Sequence, residues 1–294
     1  METKNIILAI VALLVIGGGV YFITQQSTDT VVVVEESTEP SEMTDETNAP
    51  TTEDTEDQQP AITQRGGETI IGTSVDGTDI IAYHYGSGET EILLIGGTHG
   101  SDAPSTAEVT QRFSDYFASN EAVIPANITV TVIPNLNPDG SADSSAAGRF
   151  NANNVDLNRN FDCEWSETGM WRQEEVSGGS APFSEPEAVA LRDYVLGNSI
   201  DAAIVWFASE GKVYPSACAT SPSNESVELA ATFANAAGYP AEAEFDAYAI
   251  TGDMVNWMAK QNIPAISVLL TNRNNAEFVK NQAGLTAVLN AYAN

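Results

Sequence analysis

Gly148-Arg149-Phe150-Asn151-Ala152-Asn153-Asn154-Val155-Asp156-Leu157-Asn158-Arg159-Asn160-Phe161-Asp162 places two arginines and five asparagines in one loop-like stretch. Arginine offers a rigid fork of N–H donors that pairs two-pronged with a carboxylate, and a neighbouring Asn adds a directional amide contact. The whole chain has only 11 Lys plus Arg, so two of them here point to a site that holds carboxylates. A plainer reading stands beside it for Asp156 and Asn158, since both types cap the backbone of their own turns.

Outward from this stretch, apolar runs at Ile92–Ile95, Ile128–Ile133, Ala202–Phe207 and Ala265–Leu270 read as buried strands. An earlier strand, Ile80–Tyr85, carries His84 in its alternation. Helical patterns fall between the runs. They are Thr106–Phe117, the Ala-rich Val227–Ala237, the amphipathic Asp253–Gln261 and the closing Ala276–Tyr292. Ser184-Glu185-Pro186-Glu187 reads as a capping box that starts a helix over Ala188–Leu196. Strands alternating with helices predict an α/β domain with a mixed, mostly parallel sheet flanked by helices, and such sheets place ligands at strand ends. No internal repeat is evident.

The signature stretch resembles that of the zinc metallocarboxypeptidases of the carboxypeptidase A-like superfamily, nearest the bacterial murein-peptide branch. Gly96-Gly97-Thr98-His99-Gly100, Asn135-Leu136-Asn137-Pro138-Asp139-Gly140, Ser177 to Glu187 and Tyr248-Ala249-Ile250-Thr251-Gly252-Asp253 follow the order of that family, so the resemblance spans residues 66 to 294. It implies one carboxypeptidase-like domain over those residues. It also implies zinc held by two His and one Glu, with a further Glu as general base, because zinc hydrolysis needs three protein ligands, an open position for water and a proton acceptor.

Four positions decide whether that chemistry is present. His99 stands at the first ligand. The Glu expected three residues on is Asp102, whose shorter stem shifts the oxygen, and a one-residue-longer spacing would fall on Ala103. Ala208 stands where the second His belongs, and a methyl group coordinates nothing. Leu269, followed by Leu270, stands where the base should be. Only two His exist in the chain, so rescue of the metal would draw on His84 or Glu210. By the resemblance, Arg149 would contact the scissile carbonyl and its oxyanion, Asn158 and Arg159 would grip a terminal carboxylate, and Tyr248 would close over the ligand. Asp156 would orient His99 through its other ring nitrogen. The resemblance places Cys163 and Cys218 near the rim of the cleft, where an oxidising environment would join them as a disulfide.

The amino-terminal part reads differently. Residues 1–5 would be a cytoplasmic tip and 6–23 a transmembrane anchor, uncharged and mostly apolar, with a cleaved signal peptide as the alternative. Lys4 before the span and acidic residues after it favour an extracytoplasmic domain. Residues 24–65 form a Thr/Ser/Pro-rich stalk with too little apolar surface to fold. Of 41 acidic and 11 basic residues, the first 65 hold 12 and 2, leaving the remainder 29 against 9, a net charge of about −20. That sign excludes nucleic acid as a partner. The expected partners are a peptide with a free carboxylate, such as a cell-wall stem peptide, and the bilayer through the anchor. Three functions stay open: a binding protein that has lost zinc catalysis, a zinc peptidase with an atypical site, and a surface scaffold without a small ligand.

Overall fold

The structure, a computed structural model, describes residues 67–293. The four apolar runs become the centre of a seven-stranded sheet because three are buried on both faces and Ala265–Leu270 is fully buried on one. They are β3 (Thr90–Ile95), β4 (Ile128–Ile133), β7 (Ile200–Ala208) and β9 (Ala265–Leu270), and every pairing among them is parallel. The margins are antiparallel: β1 (Glu68–Thr73) lies on β2 (Asp79–Gly86), β2 on β4, and β8 (Lys212–Pro215) on β9. The full order is β1-β2-β4-β3-β7-β9-β8. The expected mixed sheet is therefore observed, with its antiparallel pairings confined to the outer strands.

Alternation along the central strands divides the core in two. Ile92, Leu94, Ile204 and Trp206 face a layer built by α1 (Pro104–Ser119), α4 (Asn224–Ala237) and α6 (Phe278–Tyr292). Leu93, Ile95, Val205 and Phe207 face α3 (Pro186–Gly197) and α5 (Met254–Lys260). Phe113, Phe117, Trp206 and Phe233 are fully buried in the first layer, and each such side chain contributes about 1.5–3 kcal/mol through loss of apolar surface to water. The Trp206 indole N–H donates to the Asn281 side-chain oxygen at 2.8 Å, which satisfies the one polar atom this ring carries into the core.

Two short elements complete the described residues. Helix α2 (Pro138–Ala142) has Asn137 as its N-cap, accepting from Gly140 N. Strands β5 (Thr168–Trp171) and β6 (Glu174–Ser177) pair only with each other, as a separate hairpin.

The expected capping box is not formed. Helix α3 begins at Pro186, and Glu185 is an N-cap whose side chain makes no capping bond. Its carboxylate instead accepts from the Asn151 and Asn153 amides at 2.7 and 2.8 Å, because the signature stretch lies against the helix start. His84 behaves as a strand residue, its ring between the hydroxyls of Thr69 (2.9 Å) and Thr131 (3.0 Å). Among the described residues no helix is long and apolar enough to cross a membrane. The expected anchor and stalk lie outside the described residues.

Candidate functional site

The carboxyl ends of β3 and β4 bring the first site residues together. After Ile95 the chain turns through Gly97 at φ +69°, where an added Cβ would lie 2.5 Å from the Asn135 side chain, so this close crossing requires glycine. Leu136 N donates to Gly96 O and Asn137 N to Gly97 O, which locks the two strand-end loops to each other. His99 follows at the start of a short 3-10 turn, Gly100–Asp102. The ring is buried and leans on Phe207, the penultimate residue of β7, with centroids 5.6 Å apart.

A fully buried carboxylate organises everything around this ring. Asp156 takes His99 Nε2 on Oδ1 at 3.2 Å, and Arg149 Nε and Nη2 on Oδ2 at 3.1 and 2.7 Å. Burial pushes the Asp156 pKa up, but the Arg149 charge, the His99 ring and its hydrogen bond outweigh it and hold the group well below the ordinary carboxylate range. Burial, with the Arg149 charge added, lowers His99 to about 4 against the pull of Asp156. At neutral pH the ring is therefore uncharged. A carboxylate can only accept, so the proton sits on Nε2 and leaves Nδ1 with its lone pair. The orienting contact between Asp156 and His99 expected from the resemblance is present.

Asp102 and the two arginines next to it answer the question of a metal. One Asp102 oxygen is hydrogen-bonded by Arg273 Nη1, and the other lies 3.5 Å from Arg149 Nη1. Ala208 ends β7 with its methyl against the α1-side cluster, and Leu269 packs into the α5-side cluster that contains Phe207. Glu210 pairs with Lys212 at 3.3 Å and accepts from the Tyr214 hydroxyl at 2.9 Å, so both its oxygens are engaged by β8. Among the described residues no group of three His, Cys, Asp or Glu is placed to hold an ion. His99 keeps one ring nitrogen off Asp156, and Asp102 is already bound by two guanidinium ions. Zinc needs at least three protein donors, and two fixed cations at the same carboxylate oppose a dication, so this donor set does not fit it.

The remaining signature residues lie under the hairpin. Asn158 donates Nδ2 to Asp253 at 2.8 Å and accepts Met254 N at 3.1 Å, which ties the signature stretch to the start of α5. Burial raises the Asp253 pKa. Arg159 is 1% exposed. Its Nη1 bonds Asn158 O and its Nη2 bonds Met170 O, both at 2.8 Å, while its buried Nε has no partner among the described residues. The Tyr248 ring centroid lies 5.9 Å from its guanidinium carbon. Trp171, the last residue of β5, lies over Arg149 at 4.3 Å, with Arg172 at 5.1 Å and Arg273 at 5.5 Å from the same ring. Cys163 and Cys218 form a disulfide with Cα atoms 5.8 Å apart, which joins the end of the signature stretch to the segment following β8.

The family model for zinc carboxypeptidase matches residues 51–291. The chain belongs to the zinc carboxypeptidase family. Carboxypeptidase B of Astacus astacus is 30% identical over 148 residues, covering 43% of this chain and 48% of that protein. Zinc carboxypeptidase A 1 of Anopheles gambiae is 32% identical over 127 residues, covering 38% and 29%. The chain thus spans about half, or less, of these carboxypeptidase relatives. Bovine thrombin-activatable fibrinolysis inhibitor, solved with a tick carboxypeptidase inhibitor, has a similar fold at TM-score 0.62 and 17% identity, over 77% of this chain and 88% of that one. Murein-tripeptide amidase MpaA of Escherichia coli O157 has a TM-score of 0.55 at 22% identity, over 78% and 92%. Both likenesses concern the carboxypeptidase fold.

Within this zinc carboxypeptidase-family domain, the sequence reading passed over Arg273, Trp171 and Arg172. The signal was present in the scarcity of arginine. Residues 67–293 contain six, at 112, 149, 159, 172, 192 and 273, and four of them surround one hairpin.

Proposed function

We propose that this protein is a member of its family that binds peptides through a terminal carboxylate without hydrolysing them, in a domain held outside the cell membrane by residues 6–23. The observation that carries this reading is electrostatic. Arg149, Arg159, Arg172 and Arg273 gather around the β5–β6 hairpin, where three partly or fully buried carboxylates, Asp102, Asp156 and Asp253, lie among them, in a domain whose net charge is about −20. Burying a cation is costly unless anions complete its site. Meanwhile Ala208 and Leu269 supply neither a metal donor nor a proton acceptor. Arg159, whose buried Nε is unpartnered, would grip the carboxylate, with the donor now held by Met170 O turned to the ligand. Tyr248 would cover the ligand. The likeness to a murein-tripeptide amidase supports cell-wall peptides as the ligand class.

Calorimetry on the full chain tests this with a carboxylate-ended tripeptide and its carboxyl-terminal amide. The acid is expected to bind and remain intact, and the amide to bind far more weakly. Arg159→Ala should reduce affinity for the acid by at least about tenfold, the scale of a lost charge-assisted hydrogen bond. Equal affinity for acid and amide, or release of carboxyl-terminal residues by protein carrying stoichiometric zinc, would refute the reading.

A further inference from the structure

Arg149 was expected to face the ligand, yet its guanidinium is committed within the protein, with Nε and Nη2 on Asp156 and Nη1 beside Asp102. Arg273 is arranged in the opposite way. It follows β9, four residues after Leu269, and its backbone is fixed by Ser105 N, which donates to Arg273 O at 3.1 Å. Asp102 receives Nη1 alone. Among the described residues Nε and Nη2 of Arg273 have no hydrogen-bond partner, and Arg172, which is exposed, has no carboxylate partner. The two cations flank the Trp171 ring at 5.5 and 5.1 Å. They are close enough that the Arg172 and Arg149 charges add to burial in lowering the Arg273 pKa, against the pull of Asp102.

We propose that Arg273, anchored by Asp102 at a metal-ligand position, is a fixed cation that stands in for the lost metal, and that with Arg172, also beside Trp171, it forms a metal-independent seat for a carboxylate. In taking the ligand to be a carboxylate, this deepens and rests on the peptide-binding reading above. Asp102, the residue at a metal-ligand position, now orients a guanidinium by taking one of its nitrogens. The remaining edge of the fork, Nε and Nη2, has the two-pronged geometry that a carboxylate accepts. The Trp171 face holds both cations in place through ring–cation attraction. A guanidinium stays charged throughout the accessible pH range and cannot acidify water, so the seat binds and does not hydrolyse.

The test uses the full chain, with succinate as probe and the Trp171 indole resonance, identified by its loss in Trp171→Phe, as readout in 15N NMR. In protein stripped of metal with 1,10-phenanthroline, a chelator without carboxylates, succinate should move this resonance saturably, and adding zinc chloride should leave the affinity unchanged. Arg273→Ala should weaken binding at least about tenfold, while Arg273→Lys, which keeps the charge and guards against simple misfolding but lacks the two-pronged fork, should fall between that variant and the unmodified protein. Unchanged titration in Arg273→Ala, a requirement for zinc, or no response in the unmodified protein would each overturn the proposal. The tripeptide of the preceding section separates the two readings. If it binds, is lost in Arg159→Ala and ignores Arg273→Ala, the peptide pocket stands and the Arg273 seat falls. If succinate behaves as expected and the peptide does not bind, the seat stands and the peptide reading falls.

Discussion

His99 and Asp156 form a pair whose protonation is coupled to folding. His99 falls to about 4 in the folded domain, chiefly through burial, against about 6.5 for an exposed imidazole. The unfolded chain therefore binds the extra proton between those values, and stability rises with pH from about 4 to 6.5, by on the order of 3 kcal/mol if the full shift is expressed. Asp156 acts in the same direction at lower pH, since its depressed pKa contributes stability that is lost as pH falls below the ordinary carboxylate value. Thermal unfolding followed across pH 4–7 should show this slope, and His99→Gln should flatten it. An unchanged slope in the variant would mean that the imidazole is not the group responsible. Part of this was legible in the sequence, because an Asp three residues before Arg159 and a His after a glycine pair already implied an orienting contact. The capture of Asp102 by Arg273 was not, since 171 residues separate them and no local pattern encodes the meeting.

The hairpin of β5 and β6 is the element that defines the cleft, and it escaped the sequence reading for a physical reason. Four-residue strands with exposed Glu174 and Glu175 carry no apolar alternation long enough to register. The central strands Ile128–Ile133, buried on both faces, and Ala265–Leu270, fully buried on one, were readable to the residue. An isolated two-stranded hairpin is marginal in water, so this one depends on its contacts with the cleft. They include Trp171 over Arg149, Met170 O on Arg159 Nη2, and Ser177 O accepting from Asp156 N at 2.9 Å. Gly169 permits the approach, as an added Cβ would lie 2.8 Å from Arg159 Cδ. Trp171→Ala should therefore release the hairpin while leaving the main sheet intact, at a cost of about 1–2 kcal/mol. Hydrogen exchange would report it as faster exchange confined to residues 168–177. Unaltered protection there would show that the ring does not hold the hairpin down.

At the scale of the molecule, the Cys163–Cys218 disulfide fastens the signature stretch to the far margin of the sheet across 55 residues of sequence. The loop-entropy relation gives about 4 kcal/mol for closing a loop of that length in the unfolded chain. Cys163→Ser with Cys218→Ser should lower stability by that order in denaturant titration, with the fold retained because Cys163 is one of many buried residues in the second core layer and the first layer contains neither cysteine. Loss of less than about 1 kcal/mol would place the effect in native-state accommodation instead.

The pairing of Arg273 with Asp102 has one more implication, for supply rather than affinity. A charge carried on a translated side chain cannot be leached by a chelator, exchanged for a rival ion or left unfilled when transition metals are scarce. A cleft equipped this way would be complete from the moment the chain folds.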